Sequence, residues 1–335
     1  MLKVSIAIPT LKAGPMLRSC LRALDAQQFR DFEVVIINNG RERINREDYP
    51  VSFPLRVIAP GSNIGFGPAV NLAVRSASAP FVATLNDDTE PDPAWLQALV
   101  RAMEQDAAVG MCASKIRLVE GDRLDSAGML IYFDGSSKQR GQGEPCDAYP
   151  VSGEVLFPSA CAALYRRAML DGIGLFDEDY FLYCEDTDLG LRGRWAGWHC
   201  EYVANATVAH HYSHTAGAVS PLKALYVERN RLWVAIGNFP ARALPMILVA
   251  SCARYFWQLR SVRGRSGAAG KFIRAGNSLV DVAGILIRAH AETLMHLPVL
   301  IRKRAALRRT RRTSPHEFLK LMRRHSITAR ELAQL

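Results

Sequence analysis

The feature that most limits what this chain can fold into is an alternation within its first 110 residues. Short apolar runs, KVSIAI (3–8), EVVIIN (33–38) and FVATLN (81–86), alternate with stretches such as LRSCLRALDAQ and PAWLQALVRAME. The runs have the length and continuity of buried strands, and the stretches repeat their apolar residues at helical spacing. RVIAP reads as a further strand, and the turn GSNIGFG opens another helix. Strands alternating with helices predict an α/β fold with a mostly parallel central sheet. Ligands of such sheets bind beyond the carboxyl ends of the strands. The polar residues Thr10, Asn38, Asn39, Asp87 and Asp88 collect there.

Between about 120 and 160 the pattern loosens. GDRLDSAG and DGSSKQRGQGEPCD predict hairpins and a mobile loop over the site. Helix and strand character returns from Ser159 to about Tyr212, and composition changes again after Phe239, which predicts a division into residues 1–239 and 240–335. PMILVASCARYFWQL and LVDVAGILIRAHAETLMHLPVLIRKR are apolar but interrupted by charge. Neither supplies the roughly 20 uninterrupted apolar residues of a spanning helix. They predict amphipathic helices lying in a membrane interface, with RKRAALRRTRR as an electrostatic anchor, or a helical region packed on the body with a solvated basic face.

Charge separates the same two regions. Residues 240–335 carry 19 Lys/Arg against 4 Asp/Glu, whereas the preceding residues carry 23 against 28. A mildly acidic body with a basic tail attracts a polyanion. Nucleic acid is disfavoured, because no binding module is present and the tail mixes its charge with Leu, Ile and Val rather than stacking aromatics. The seven cysteines contain no C-x-x-C pair, which argues against a disulfide framework or zinc ribbon and fits a reducing cytosol. The N-terminus enters a strand-like run at once, without an apolar signal segment.

Four segments carry candidate chemistry. LNDDT (85–89) sets two carboxylates at a strand end. Hard divalent cations take such oxygens and bridge to phosphates, and a turn before Pro91 and Pro93 would use them equally. NIGFGPAVN (63–71) places glycines where a backbone must approach something, ahead of a helix whose free N–H groups attract phosphate; a plain turn fits as well. ATVAHHYSHT (206–215) holds His210, His211 and His214, metal ligands or structural histidines, without the H-E-x-x-H spacing of a zinc protease. YFLYCEDTDLGLRGRWAGW (180–198) places Glu185, Asp186 and Asp188 after Tyr180, Phe181 and Tyr183. Asp186 or Thr187 would cap a helix that Gly197 closes, with Asp188 pairing Arg192. Capping leaves Glu185 and the aromatics unexplained, and a carboxylate at a helix N-terminus facing a cleft suits a catalytic base.

Taken in order, AIPT (7–10), IINNG (36–40), NIGFGPAVN, LNDDT, GLFDEDYFLYCEDTDLGLR (174–192), ATVAHH and YVERNR (226–231) resemble the family-2 glycosyltransferases. These are inverting enzymes with a GT-A nucleotide-sugar fold. The closer likeness is to the rhamnosyltransferase-like branch that builds bacterial cell-surface glycans, and it covers about residues 1–235. The resemblance implies that 1–239 is the catalytic domain. Pro9, Thr10 and Asn38 would line the nucleotide base pocket, Asn63 and Gly65 would approach ribose and diphosphate, and Asn71 and Asp87 would belong to the same nucleotide-sugar site. It implies Asp88 and His210 as ligands of Mg²⁺ or Mn²⁺, Asp186 as general base with Glu185 beside it, and Tyr180, Phe181 and Tyr183 as the acceptor's stacking surface. Two departures stand out. Asn38 replaces the more usual Asp, and Asn86 occupies the first position of the D-x-D-like motif, leaving Asp88 as the carboxylate ligand.

The implied partners are a dTDP- or UDP-sugar donor and a polyprenyl-diphosphate-linked acceptor at the cytoplasmic face of the inner membrane. The implied reaction moves a sugar, L-rhamnose from dTDP-rhamnose first, in the synthesis of O-antigen or a similar polysaccharide. The alternative is a non-catalytic scaffold that keeps the nucleotide-sugar fold in a glycan assembly complex. Oligomeric state stays open, a homo-oligomer included.

Overall fold

In the computed structural model, which describes residues 2–211, 220–263 and 267–334, the first four strands pair in parallel. β1 (Val4–Thr10) pairs with β2 (Phe32–Asn38) from Val4↔Phe32 to Thr10↔Asn38, and β2 pairs with β3 (Leu55–Ile58). β1 also pairs with β4 (Phe81–Leu85), from Val4↔Phe81 to Ala7↔Thr84. α1 (Pro15–Asp25) follows β1 and buries Leu17, Cys20, Leu21 and Leu24, one face of a 3.6-residue period. α2 (Phe66–Arg75) precedes β4. Carrying the β1–β4 register three residues further sets Thr10 beside Asp87. Parallel pairing thus gathers the polar strand ends by itself.

The remaining strands make the sheet mixed rather than mostly parallel. β5 (Thr89–Pro91), α3 (Trp95–Gln105), β6 (Val109–Leu118), β7 (Leu124–Ser126), β8 (Met129–Ile131) and β9 (Ser137–Gln139) come next in the chain. β10 (Gly153–Glu154), β11 (Ala162–Arg166), α4 (Arg167–Ile173), α5 (Glu185–Trp195) and β12 (His199–His210) follow. The sheet order is β10-β12-β6-β11-β4-β1-β2-β3, with β5 on β12 and β7 on β6. β6 and β12 are parallel, while β11 runs antiparallel to both β4 and β6. Because Ala162 lies opposite Leu85 and Arg166 opposite Phe81, β11 enters at the carboxyl end of β4. That reversal brings the segment 159–161 to the polar strand ends. The turn-rich 120–160 stretch folds as β7, the β8–β9 pair and β10.

The chain divides into two compact units, Met1–Met129 with Gln139–Tyr212, and Leu130–Lys138 with Ser213–Leu335. The second contains α6 (Pro221–Asn238), α7 (Leu244–Arg263), α8 (Gly267–Arg274), α9 (Leu279–Thr310), α10 (Pro315–Arg324) and α11 (Ala329–Gln334). The compositional boundary at 239/240 is therefore only the turn from α6 to α7. α6 groups with the later helices because Trp233 stacks on His296 of α9 at 4.1 Å and Arg229 pairs with Glu292 at 2.9 Å. Glu228 accepts from Arg254 of α7 at 2.7 Å and from Arg231 on its own helix. Asp134, in the β8–β9 turn, completes the buried network at 2.5 Å from Arg254 Nε, which holds this short segment in the second unit. No helix among the described residues is long and apolar enough to cross a membrane.

Candidate active site

The strand ends of the first unit form one side of the site. The buried Thr10 hydroxyl donates to the Asp87 carboxylate. Burial pushes the Asp87 carboxyl up to about 6, against the Thr10 bond and with the charge of Asp88. Asn38 is occupied with its own turn: Nδ2 donates to the Glu42 carbonyl at 2.7 Å, and Oδ1 accepts the Gly40 N–H at 3.1 Å. Asn39 ties this turn to the start of α2 through the Gly65 carbonyl at 2.9 Å. Gly65 has φ 91°, and a Cβ there would lie 2.4 Å from the Phe181 carbonyl oxygen, so only glycine fits. The Phe66 N–H donates to that same carbonyl at 3.0 Å, and Asn63, exposed, accepts the Gly65 N–H at 3.0 Å. Pro9 lies within β1 opposite Ile37. The Asn71 side chain is buried and holds the Phe176 backbone N–H and carbonyl at 3.0 and 2.8 Å and the Glu178 carboxylate at 3.1 Å, which makes it a structural clamp between α2 and the segment before α5.

His210 ends β12 opposite Thr89 of β5 and Leu118 of β6. Its Nε2 lies 3.3 Å from Asp88 Oδ1, and its Nδ1 lies 2.8 Å from Oδ2 of Asp125 on β7. Burial opposes charge on this imidazole, but the Cys161 sulfur and the Asp125 and Asp88 carboxylates outweigh it and raise its pKa. The donor set fits a divalent cation. A carboxylate oxygen and an imidazole nitrogen stand side by side, and the other ring nitrogen is held by a carboxylate, the arrangement that orients histidine ligands. No group of three or more ligands gathers among the described residues. Mg²⁺ and Mn²⁺ sites commonly take one or two protein ligands and complete the shell with substrate phosphate and water. His211 turns instead to Glu90, 2.9 Å away, and His214 lies outside the described residues.

The acidic stretch forms the other side. α5 begins at Glu185, so Glu185, Asp186 and Asp188 fill its first turn and neither Asp186 nor Thr187 is the cap. The N-cap position is Cys184, with φ 69°, preceded by Tyr183 at φ 69°, and no side-chain cap is made. Two consecutive left-handed non-glycine residues are costly and mark a chain forced into a tight entry. Asp188 pairs with Arg192 at 2.7 Å as expected, and Gly197, at φ 86°, follows the helix end. Asp186 Oδ1 accepts the Thr187 N–H at 2.6 Å and its hydroxyl at 3.2 Å, while Oδ2 lies 3.4 Å from the Ala160 nitrogen. Glu185 is buried, and its Oε2 has no hydrogen-bond partner among the described residues. Burial first, then the charge of Asp186, pushes Glu185 up to about 8. Burial also raises Asp186, against the bonds from Ala160 and Thr187. Both carboxyls are thus drawn toward their protonated forms, and their proximity disfavours a second negative charge. The expected aromatic wall is only partly present: Tyr180 is 1% exposed and belongs to the core, whereas Phe181 and Tyr183 are half-buried.

Two residues join the two sides. The Ala160 N–H faces Asp186, the Cys161 carbonyl accepts the Asn86 N–H at 2.9 Å, and the Cys161 thiol lies against the His210 imidazole. Asp125, Ala160 and Cys161 were not among the residues expected from the sequence. Asp125 alone left a signal, a carboxylate between Leu124 and the small residues Ser126 and Ala127 in a region otherwise read as loop. The site thus offers a carboxylate able to accept a proton, adjacent to a pair able to hold a cation. That combination serves displacement reactions in which a hydroxyl attacks and a charged group departs.

The profile of glycosyl transferase family 2 matches residues 5–174, half of the chain. The chain is 29% identical over 232 residues to the N-acetylglucosaminyl-diphospho-decaprenol L-rhamnosyltransferase of Mycobacterium tuberculosis, covering 62% of this chain and 76% of that one. It is 30% identical over 236 residues to the O-antigen biosynthesis protein RfbC of Myxococcus xanthus, covering 63% of this chain but only 17% of RfbC. Among solved structures it shares its fold with GalNAc-T7, solved with UDP, GalNAc and Mn²⁺, at a TM-score of 0.60 and 13% identity. That match covers 75% of this chain and about half, 51%, of GalNAc-T7. The GT-A fold expected from the motifs therefore stands, and the chain belongs to the family 2 glycosyltransferases.

Proposed function

We propose that the protein transfers a sugar, L-rhamnose from dTDP-rhamnose, with inversion onto a polyprenyl-diphosphate-linked saccharide in the synthesis of O-antigen or a related cell-surface polysaccharide. The observation that supports the reading is the strip Ala160–Cys161, whose first residue faces Asp186 and whose second lies against His210, the neighbour of Asp88. In the proposed step the acceptor oxygen bonds to the anomeric carbon as the bond from that carbon to the donor phosphate breaks, and the hydroxyl proton passes to an Asp186 oxygen. Asp186 suits this part because burial raises its proton affinity. Asp88 and His210 would hold Mg²⁺ or Mn²⁺, which supplies charge stabilisation to the departing nucleoside diphosphate. Thr10, Asp87, Asn63 and Gly65 line the strand ends on the donor side, and Phe181 and Tyr183 remain to face the acceptor. The decaprenol-linked substrate in the name of the M. tuberculosis relative and the O-antigen role in the name of RfbC favour the lipid-linked acceptor.

The second unit supports a peripheral position on the cytoplasmic membrane surface. One face of α9 packs through Ala289, Thr293 and Leu300, while Val280, Ile287, Leu294 and Ile301 lie at 79%, 72%, 70% and 56% exposure. These four recur every seven residues and form an outward apolar stripe. All four acidic side chains of residues 240–335 are already engaged. Asp281, Glu317 and Glu331 bond the helix-start residues Ser278, Ser314 and Thr328, and Glu292 pairs with Arg229 and Arg288. Residues 240–335 carry 19 basic against 4 acidic residues, and that excess of positive charge favours an anionic lipid surface.

The test is a transfer assay with a synthetic polyprenyl-diphosphate saccharide, a set of dTDP- and UDP-sugars, and Mn²⁺ or EDTA, read by product mass. A product one deoxyhexose heavier, formed with dTDP-rhamnose and Mn²⁺ and lost in EDTA, is expected. A product only from another donor would refute the rhamnose assignment. Absence of donor binding by calorimetry, with or without Mn²⁺, would favour the non-catalytic scaffold.

A further inference from the structure

A second carboxylate stands behind His210. Asp125 is 4% exposed, and its Oδ2 lies 2.8 Å from His210 Nδ1. A buried carboxylate is unfavourable unless it is hydrogen-bonded. The other oxygen, Oδ1, has no hydrogen-bond partner among the described residues, so the imidazole is the contact that this side chain makes. The backbone delivers it there. Asp125 lies on β7 between the pairs Ile116↔Ser126 and Arg117↔Leu124, where the register with β6 is irregular. Irregularities of this kind re-aim a side chain. His210 reaches the same place from β12, paired to β6 at Leu118. A cation at Nε2 takes the place of the proton there, so the ring keeps one N–H, on Nδ1, and an acceptor at Nδ1 holds it in place. The lone pair of Nε2 then points to the side where Asp88 Oδ1 lies, 3.3 Å away.

We propose that Asp125 is a positioning residue for the transfer reaction: it locks the ring and tautomer of His210 so that Nε2 and the Asp88 carboxylate present a preset nitrogen and oxygen to a divalent cation. This rests on the reading of Asp88 and His210 as the cation-holding pair. Asp125 itself binds no cation, because its engaged oxygen is on the far side of the ring. Carboxylates that orient a metal-bound histidine typically affect metal affinity about 10–100-fold.

The test uses the full chain and Mn²⁺ alone, with binding read from the loss of the free-ion signal in electron paramagnetic resonance. In parallel, ¹H–¹⁵N NMR reports the hydrogen-bonded Nδ1–H of His210, assigned by its disappearance in His210→Gln. Asp125→Ala should weaken Mn²⁺ binding about 10–100-fold and remove that downfield, exchange-protected Nδ1–H resonance. Asp125→Asn keeps a carbonyl acceptor, so it should retain the resonance and lose affinity by only a few fold. Wild-type affinity or an unchanged Nδ1–H resonance in Asp125→Ala overturns the proposal. Should Asp125→Ala fail to fold, Asp125→Asn decides: unchanged Mn²⁺ affinity in that variant overturns it. If His210→Gln binds Mn²⁺ as tightly as wild type, the cation-pair reading falls and this proposal with it. If His210→Gln is weakened and the folded Asp125→Ala is not, only the role of Asp125 falls.

Discussion

Asp186→Asn separates the chemistry of the first turn of α5 from its architecture. The amide oxygen can keep accepting the Thr187 N–H, which is the short bond at 2.6 Å, so the helix start survives. The amide nitrogen then replaces the oxygen facing the Ala160 N–H at 3.4 Å, and two donors meet there. Leaving a buried donor unsatisfied costs about 1–3 kcal/mol, and a bond this long puts the loss at the low end. Loss of a general base lowers the rate about 10²–10⁴-fold, which is about 3–5 kcal/mol at 1.36 kcal/mol per decade. The variant is therefore expected to melt within a few degrees of wild type, to bind the nucleotide-sugar with nearly unchanged affinity, and to lose kcat by two to four orders of magnitude. Steady-state turnover on the lipid-linked saccharide, calorimetry with the donor and a thermal melt measure the three quantities. Turnover within tenfold of wild type would refute the assignment of Asp186 as base. Equal losses in donor binding and turnover would instead make it a binding residue.

Glu185→Gln should change the pH dependence of stability. The pKa of Glu185 is raised on folding, so its favourable contribution is fully present below about 4.5 and is lost as pH rises toward 8. Wild type should lose about 3 kcal/mol from this group between pH 6 and 9, and urea unfolding of the Gln variant should lack that loss. Equal slopes for the two proteins would mean that Glu185 does not hold its proton. Glu228→Ala leaves Arg231 and Arg254 buried with Asp134 as their remaining carboxylate among the described residues, so denaturant unfolding should show a loss of about 3–5 kcal/mol. A loss under about 1 kcal/mol would mean that water enters the network. Ile287→Glu and Leu294→Glu, both on exposed positions, should leave stability within about 0.5 kcal/mol yet each reduce flotation with anionic vesicles about tenfold. Unchanged flotation would place the membrane contact elsewhere, and a shift in sedimentation instead would make the stripe a seam between copies of the chain.

What the sequence could announce was local. The runs KVSIAI and EVVIIN became β1 and β2, because a buried parallel strand must be apolar on both faces and needs no long-range information to be recognised. The pairing of Asp188 with Arg192 was legible for the same reason, since four residues on a helix fix their neighbourhood. Tyr180 was not. An aromatic before an acidic turn reads as a wall until the two left-handed residues, Tyr183 and Cys184, show how sharply the chain turns, leaving Tyr180 in the core. The clamp made by Asn71 was hidden in a related way. It sits in a motif whose glycine does approach another backbone, yet its own side chain faces Phe176, about a hundred residues later, and no local pattern encodes that distance.

Asp125 and Cys161 show what kind of information was missing. Each lies beside His210 only because β6 separates β7 from β12 and because β11 runs against its neighbours. Strand order and direction are set by pairing between distant segments, whereas hydrophobic periodicity reports only which faces are buried. An antiparallel β11 delivers its first residues, not its last, to the carboxyl end of β4. Had it run parallel, Arg166 would stand where Ala160–Cys161 now joins Asp186 to Asn86 and His210. The proposed base and the proposed cation-holding pair would then have no common support. The reversed strand, which breaks the parallel pattern expected of the sheet, is therefore the feature on which the arrangement of the site depends.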